Sequence, residues 1–99
     1  MKELTEITIP DAVTTIGARA FEGCTGLKTI TIGNGVTSIY YDAFKYCTAK
    51  VYIKAVEPPA VAGDPFYGCS VIYVPSASVD KYRTAWSDFA TKIVGYDFE

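Results

Sequence analysis

LTEITIPDAVTTIGARAFEGCTG, residues 4–26, aligns without a gap over LKTITIGNGVTSIYYDAFKYCTA, residues 27–49. Leu4 falls on Leu27, Ile7 on Ile30, Ile9 on Ile32, Val13 on Val36, Ile16 on Ile39, Phe21 on Phe44 and Cys24 on Cys47. Every offset is 23, and 11 of the 23 positions are identical. Unrelated segments of ordinary composition share roughly one or two. A third, degraded unit follows. Phe66-Tyr67-Gly68-Cys69 repeats Phe21-Glu22-Gly23-Cys24, and Val51-Tyr52-Ile53 supplies an alternating strand. Glu57-Pro58-Pro59 replaces the Val-x-x-Ile element, and its two prolines remove two backbone donors from any ladder there. Val71-Ile72-Tyr73-Val74 is a last alternating strand, ending at Pro75.

The period selects the architecture. Twenty-three residues lie inside the leucine-rich-repeat window of about 20–29 and are too few for the helix-pair repeats. Leu4-x-x-Ile7-x-Ile9 predicts a short strand with Leu4, Ile7 and Ile9 inward and Glu6 and Thr8 outward. Val13-x-x-Ile16 predicts a second extended stretch, and Ala20-Phe21-x-x-Cys24 a tight turn closing the coil. Pro10-Asp11 and Gly33-Asn34-Gly35 mark turns between the two stretches. One such coil is too thin to bury its own core, so Phe21 requires Phe44 above it, and Phe44 requires Phe66. The expected fold is a right-handed, mainly β repeat solenoid of about three 22–23-residue repeats, 4–26, 27–49 and 50–75, with short helical or irregular turns.

The period stops after Pro75. Ser76 and Ser78 offer N-cap hydroxyls. Val79, Tyr82, Trp86, Phe89 and Ile93 then recur at helical spacing, with a break suggested at Trp86-Ser87-Asp88 and an end at Gly95. Residues 76–95 are thus expected to form a helical cap on the last coil, covering apolar surface that would otherwise meet water. At the front, the first coil is preceded by three residues, so either further chain lies upstream or a homodimer covers this end.

Composition narrows the function classes. About half of the 99 residues are hydrophobic, which excludes intrinsic disorder. The formal charge, 9 − 11 = −2, argues against a nucleic-acid footprint and a polybasic membrane surface. No apolar run approaches the ~18 residues of a membrane helix, and no signal peptide is visible in the chain as given. Histidine is absent, which removes the commonest general base and most zinc sites. Glu3, Glu6, Asp11, Asp42 and Asp64 fall into no glycosidase pair or calcium loop, and Gly33-Asn34-Gly35 lacks the Lys-Ser/Thr of a phosphate loop. No catalytic, cofactor-binding or metal-binding residue is assigned, and no enzymatic activity is expected. Cys24, Cys47 and Cys69 recur with the repeat and form one column, read as buried free thiols. Neighbours in that column lie within disulfide range, so one disulfide stays open as an alternative, and a metal site is disfavoured by the lack of partners.

The tyrosines are the feature that the repeat does not explain. Tyr52 and Tyr73 alternate outward on neighbouring strands if Val51, Ile53, Ile72 and Val74 face in. Tyr40-Tyr41 stands where the first unit has Gly17-Ala18. Exposed tyrosine is a favoured contact residue, so Thr8, Thr31, Tyr52 and Tyr73, with Tyr40 and Tyr41, are the candidate partner-contact residues. The bland alternative is that the rings only cover the sheet.

The signature Leu-x-x-Ile-x-Ile-Pro, Val-x-x-Ile, Ala-Phe-x-x-Cys resembles the BspA-like (treponemal-type) leucine-rich repeats. Pro58-Pro59, Phe66-x-x-Cys69, Ile72-Tyr73-Val74-Pro75 and Tyr82-x-x-Ala85-Trp86 resemble the terminal module of those proteins. The resemblance covers Leu4 to about Ile93. It implies a bacterial surface or secreted protein, noncatalytic, that adheres to a protein partner such as a host matrix protein, or to a glycan. The charge and the lack of a long apolar run, not the resemblance, lead to the expectation of no nucleic-acid partner and no membrane insertion. The alternative function is structural: the terminal capping piece of a longer repeat array.

Overall fold

The computed structural model describes residues 5–98. The expectations for Glu3 and Leu4 lie outside the described residues. Within them, the alternating segments form β1 (Glu6–Ile9), β3 (Thr29–Ile32), β5 (Lys50–Ile53) and β7 (Val71–Pro75), and the shorter stretches form β2 (Thr15–Ile16), β4 (Ser38–Ile39) and β6 (Ala60–Val61). A helix α1 (Val79–Ala85) and a final strand β8 (Ile93–Tyr96) complete the chain. Among the described residues, β1-β3-β5-β7-β8 make one parallel sheet and β2-β4-β6 a second.

The repeat units stack in register. Ile7 faces Ile30, which faces Val51, which faces Ile72, and Ile72 faces Ile93. Inward positions are buried: Ile30, Ile32, Val51, Ile53, Ile72 and Val74 have no exposed surface. Glu6 and Thr8 are exposed beside buried Ile9 and half-buried Ile7. The phenylalanines pile up as the repeat demands. Phe21 and Phe44 stack at 5.2 Å and 5°, and Phe44 and Phe66 at 5.6 Å and 4°. Between them these contacts make the turn corners a second core seam, and offset-stacked rings stabilise each other beyond their buried area.

The glycines of the Gly33-Asn34-Gly35 turn serve packing more than backbone freedom. A Cβ on Gly33 would lie 2.7 Å from the Ile9 carbonyl oxygen, and one on Gly35 would overlap the Asp11 carbonyl. The turn therefore seats directly on the Pro10-Asp11 turn of the unit below, and the Asn34 N–H donates to Asp11 Oδ1 at 3.0 Å. The double proline also reads differently in three dimensions. The ladder lost at Pro58-Pro59 resumes at once, because Ala60 and Val61 pair with Ser38 and Ile39.

The C-terminal segment breaks at Trp86, where the sequence suggests it, and departs from the expected helical cap over 76–95 at its end. The helix ends at Ala85, and Trp86 takes φ −115°, ψ 51°. A 3₁₀ segment, Ser87–Lys92, bends again at Phe89. Ile93, expected on the helix face, instead opens β8, which pairs with β7 at the same 21-residue step (Ile72 to Ile93) that relates Val51 to Ile72. The open edge of β7 offers unpaired backbone groups, and β8 satisfies them where one more helical turn would not. Gly95 is no helix terminator. It lies in β8, where a Cβ would come within 3.1 Å of Val79 Cγ2 and 3.3 Å of Ser76 Cα. Ser76 and Ser78 do not cap with their hydroxyls. Ser76 Oγ instead donates to Asp97 Oδ1 at 2.6 Å, tying the helix entry to the chain after β8.

This last segment supplies with side chains what a further coil would supply with its backbone and thiol. The carbonyl oxygen of Thr14 accepts the Thr37 N–H at 2.8 Å, and that of Thr37 accepts the Ala60 N–H at 2.9 Å. The equivalent third-unit carbonyl, Pro59, accepts Trp86 Nε1–H at 3.0 Å. Cys47 Sγ lies 3.1 Å from the Phe21 carbonyl oxygen it donates to, and Cys69 Sγ 3.9 Å from that of Phe44. The third-unit equivalent, Phe66, accepts Lys92 Nζ at 3.2 Å. Tyr82, on α1 four residues before Trp86, donates its buried hydroxyl to the Ala55 carbonyl at 2.6 Å. Buried carbonyls at the end of the stack are thereby satisfied, which matters because an unmet buried acceptor costs more than a made hydrogen bond returns.

Candidate functional site

Register places four of the predicted contact residues in a single file. Thr8 faces Thr31, Thr31 faces Tyr52, and Tyr52 faces Tyr73 across β1, β3, β5 and β7. The file runs over the outer face of the five-stranded sheet, because its inward neighbours Val51, Ile53, Ile72 and Val74 fill the core. Tyr52 and Tyr73 stack at 4.8 Å with planes 19° apart.

A third ring joins them that the sequence reading did not include. Tyr96, from β8, lies 5.2 Å from Tyr52 and 5.4 Å from Tyr73, edge-on to the first and tilted to the second. The three rings form a closed triangle, and Phe98 extends it at 4.9 Å from Tyr96. Tyr96 keeps 43% of its surface exposed. Next to it opens a groove of about 520 Å³ bordered by Lys54, Val56, Pro75, Asp97 and the two aromatic residues Tyr96 and Phe98. The signal for Tyr96 and Phe98 was present as the two-residue alternation Val94-x-Tyr96-x-Phe98. It was masked by continuing the helical period through Ile93. The surface is apolar at the rings, with Lys54 and Asp97 at the border of the groove.

Tyr40 and Tyr41 are about half exposed but lie elsewhere, on the turn after β4. The Tyr41 carbonyl accepts the Arg19 N–H at 3.1 Å, and the Arg19 guanidinium sits 5.7 Å from the Tyr41 ring centre. None of the ring contacts among the described residues links this pair to the Tyr52–Tyr73–Tyr96 triangle.

The cysteines form the expected column of free, buried thiols. Burial pushes Cys47 up to about 11 and Cys69 up to about 12, away from the ordinary thiol value. A thiolate is the nucleophile and the metal ligand, so these groups are chemically quiet near neutral pH. Burial likewise raises the Tyr82 phenol, with the Glu57 carboxylate adding to it. Among the described residues, no cluster of three or more Cys, Asp or Glu is arranged to hold a metal ion. No described helix is long and apolar enough to cross a membrane.

Parallel strands contributed one per unit, an inward Leu/Ile/Val file and a 21–23-residue step (Lys50 to Val71, Glu6 to Thr29) define the leucine-rich-repeat class. The chain belongs to the BspA-type leucine-rich repeat family, whose model, described as a region of six repeat copies, matches residues 1–73. A comparison with curated proteins found no match.

Proposed function

We propose that this chain is a noncatalytic interaction module of adhesion type, which binds a protein partner through the outer face of its five-stranded sheet. The observation that carries this reading is the tyrosine triangle of Tyr52, Tyr73 and Tyr96, with Thr8 and Thr31 extending the same file. Inward residues of the stack are accounted for by the core, whereas these rings are not required by the repeat. Tyrosine combines apolar area, low entropy cost and a polar tip, which makes it a frequent energetic centre of interfaces. Repeats of this family are generally noncatalytic and often serve protein interaction or adhesion at a surface. In this reading the units over 4–75 form a short right-handed solenoid, residues 76–95 and the rest of β8 close it, and the module works outside the bacterial cell on a host or matrix protein.

The test uses immobilised chain against a panel of extracellular-matrix proteins, with a Tyr52→Ser/Tyr73→Ser double variant beside it. The variant should unfold as cooperatively as the parent and lose at least about tenfold in affinity for whichever matrix protein binds. Equal affinity of parent and variant overturns the assignment of this face.

A second reading is structural: the chain terminates a longer repeat array. Its support is the way Trp86 Nε1 and Lys92 Nζ stand in for the donors of a further coil. It predicts that a version lacking residues 76–99 self-associates, while the parent does not.

A further inference from the structure

A second aromatic surface lies on the turn side of the stack, apart from the Tyr52–Tyr73–Tyr96 face. Tyr46 and Tyr67 are each at least half exposed and meet edge to face, 6.0 Å apart with planes at 74°. They wall a groove of about 310 Å³, whose other lining residues are Asp42, Lys45 and Asp64. Asp64 Oδ1 accepts the Phe66 N–H at 3.0 Å, which fixes that carboxylate at the rim. The Lys45 ammonium sits 5.1 Å from the Tyr46 ring centre.

Tyr46 is unusual for its place in the repeat. It holds φ +68°, and the equivalent residues of the neighbouring units are Gly23 at φ +77° and Gly68 at φ +96°. The turn therefore asks for glycine, and the left-handed conformation is unfavourable for a tyrosine. Tyr46 keeps 50% of its surface exposed, so burial does not explain its presence. Gly68 makes the pairing possible: a Cβ there would lie 3.2 Å from Tyr46 Cα, so only glycine lets the third turn seat closely enough to bring Tyr67 alongside.

We propose that the groove between Tyr46 and Tyr67 binds a single neutral sugar residue, as found at the end of a glycan. The charges select this class. Two carboxylates disfavour a phosphate, a sulfate or an acidic sugar, and a lysine inside the groove disfavours a cationic side chain. A neutral pyranose satisfies both signs at once, because its hydroxyls donate to Asp42 and Asp64 and accept from Lys45. Its apolar C–H face packs on an exposed aromatic ring while the hydroxyls reach the rim, the usual division of labour in a small-ligand site. The volume, at the small end for ligand sites, suits one ring and not a chain of several.

The experiment is an amide-resolved NMR titration of the full chain with the methyl glycosides of glucose, galactose, mannose and N-acetylglucosamine. Methyl glucuronide and methyl glucosaminide serve as acidic and cationic comparisons. At least one neutral glycoside should give saturable shifts at Tyr46, Tyr67 and Asp64, with millimolar affinity. Tyr46→Gly, which installs the residue the turn already accepts in both neighbouring units, should stay folded and bind at least about tenfold more weakly. Asp42→Asn should also weaken binding, and its backbone is safe because asparagine tolerates the φ of +58° held there. The Tyr52→Ser/Tyr73→Ser variant should bind the sugar as the parent does, which separates this site from the protein-contact face. Absence of saturable shifts with all four neutral glycosides overturns the proposal. So does undiminished binding by Tyr46→Gly, or tighter binding of either charged glycoside.

Discussion

Removing the middle ring of the phenylalanine stack should cost far more than removing the first. Phe44 is fully buried and sandwiched between Phe21 at 5.2 Å and Phe66 at 5.6 Å. Phe44→Ala leaves a ring-sized hole between two faces that have no other occupant. Phe-to-Ala changes in cores cost about 3–5 kcal/mol, and the loss of two stacked partners places this one near the top, at about 4–5 kcal/mol. Phe21 is only partly buried and stacks on one described ring, so Phe21→Ala should cost about half as much, ~2 kcal/mol. Urea unfolding followed by far-UV circular dichroism measures both. With a denaturant slope of about 1.5 kcal/mol/M, the two variants should differ in midpoint by roughly 1–2 M. A domain of this size has only about 5–15 kcal/mol in hand, so Phe44→Leu accompanies the pair. It keeps apolar volume, loses both stacks, and should cost about 1–2 kcal/mol. Equal costs for Phe44→Ala and Phe21→Ala would refute the claim that neighbouring coils stabilise one another through this seam.

Three further outcomes follow from the same geometry. Trp86→Phe strands the Pro59 carbonyl without its 3.0 Å donor and should lower stability by about 1–3 kcal/mol in thermal or urea melts; no measurable loss would mean that the carbonyl finds another donor. Gly35→Ala drives a methyl into the Asp11 carbonyl and should destabilise by about 1–3 kcal/mol, whereas Gly17→Ala, with open space around it, should be nearly neutral. Cys47 and Cys69 are raised from 9.0 to about 11 and about 12 in the folded state, so the unfolded chain loses these protons first as pH rises. Their contribution is complete below pH 9 and is lost upward through pH 11–12. A Cys47→Ala/Cys69→Ala variant should show an alkaline stability slope shallower by up to about 1.4 kcal/mol per pH unit for each thiol, checked by urea midpoints from pH 8 to 11.

The end of the stack illustrates how a repeat is closed without a further repeat. A β coil leaves two kinds of unmet group at its end: strand-edge backbone and inward carbonyls. Here β8 takes the first and the Trp86 indole, the Tyr82 hydroxyl and the Lys92 ammonium take carbonyls of the second kind. Apolar covering alone would have hidden the Pro59 and Ala55 carbonyls without satisfying them, at a cost greater than a made hydrogen bond returns.

Periodicity alone determined the stack. Once Leu4–Gly26 and Leu27–Ala49 align at one offset, like residues must sit over like residues, because no coil buries its own apolar side chains. The inward Ile and Val files, the Phe21–Phe44–Phe66 seam, the thiol column, and the outward file of Thr8, Thr31, Tyr52 and Tyr73 all follow from that period. Tertiary structure decided what periodicity does not encode. Ile93 suits a helix face and a strand equally by spacing, and only the unpaired edge of β7 drew it into β8, carrying Tyr96 onto the tyrosine pair. Likewise, the left-handed turn at Tyr46 and the groove it shares with Tyr67 come from three-dimensional closeness of turns 22 residues apart (Cys47 and Cys69). A linear pattern reports which face a side chain takes within its own unit, and it is silent on which neighbour's backbone, edge or ring that face will meet.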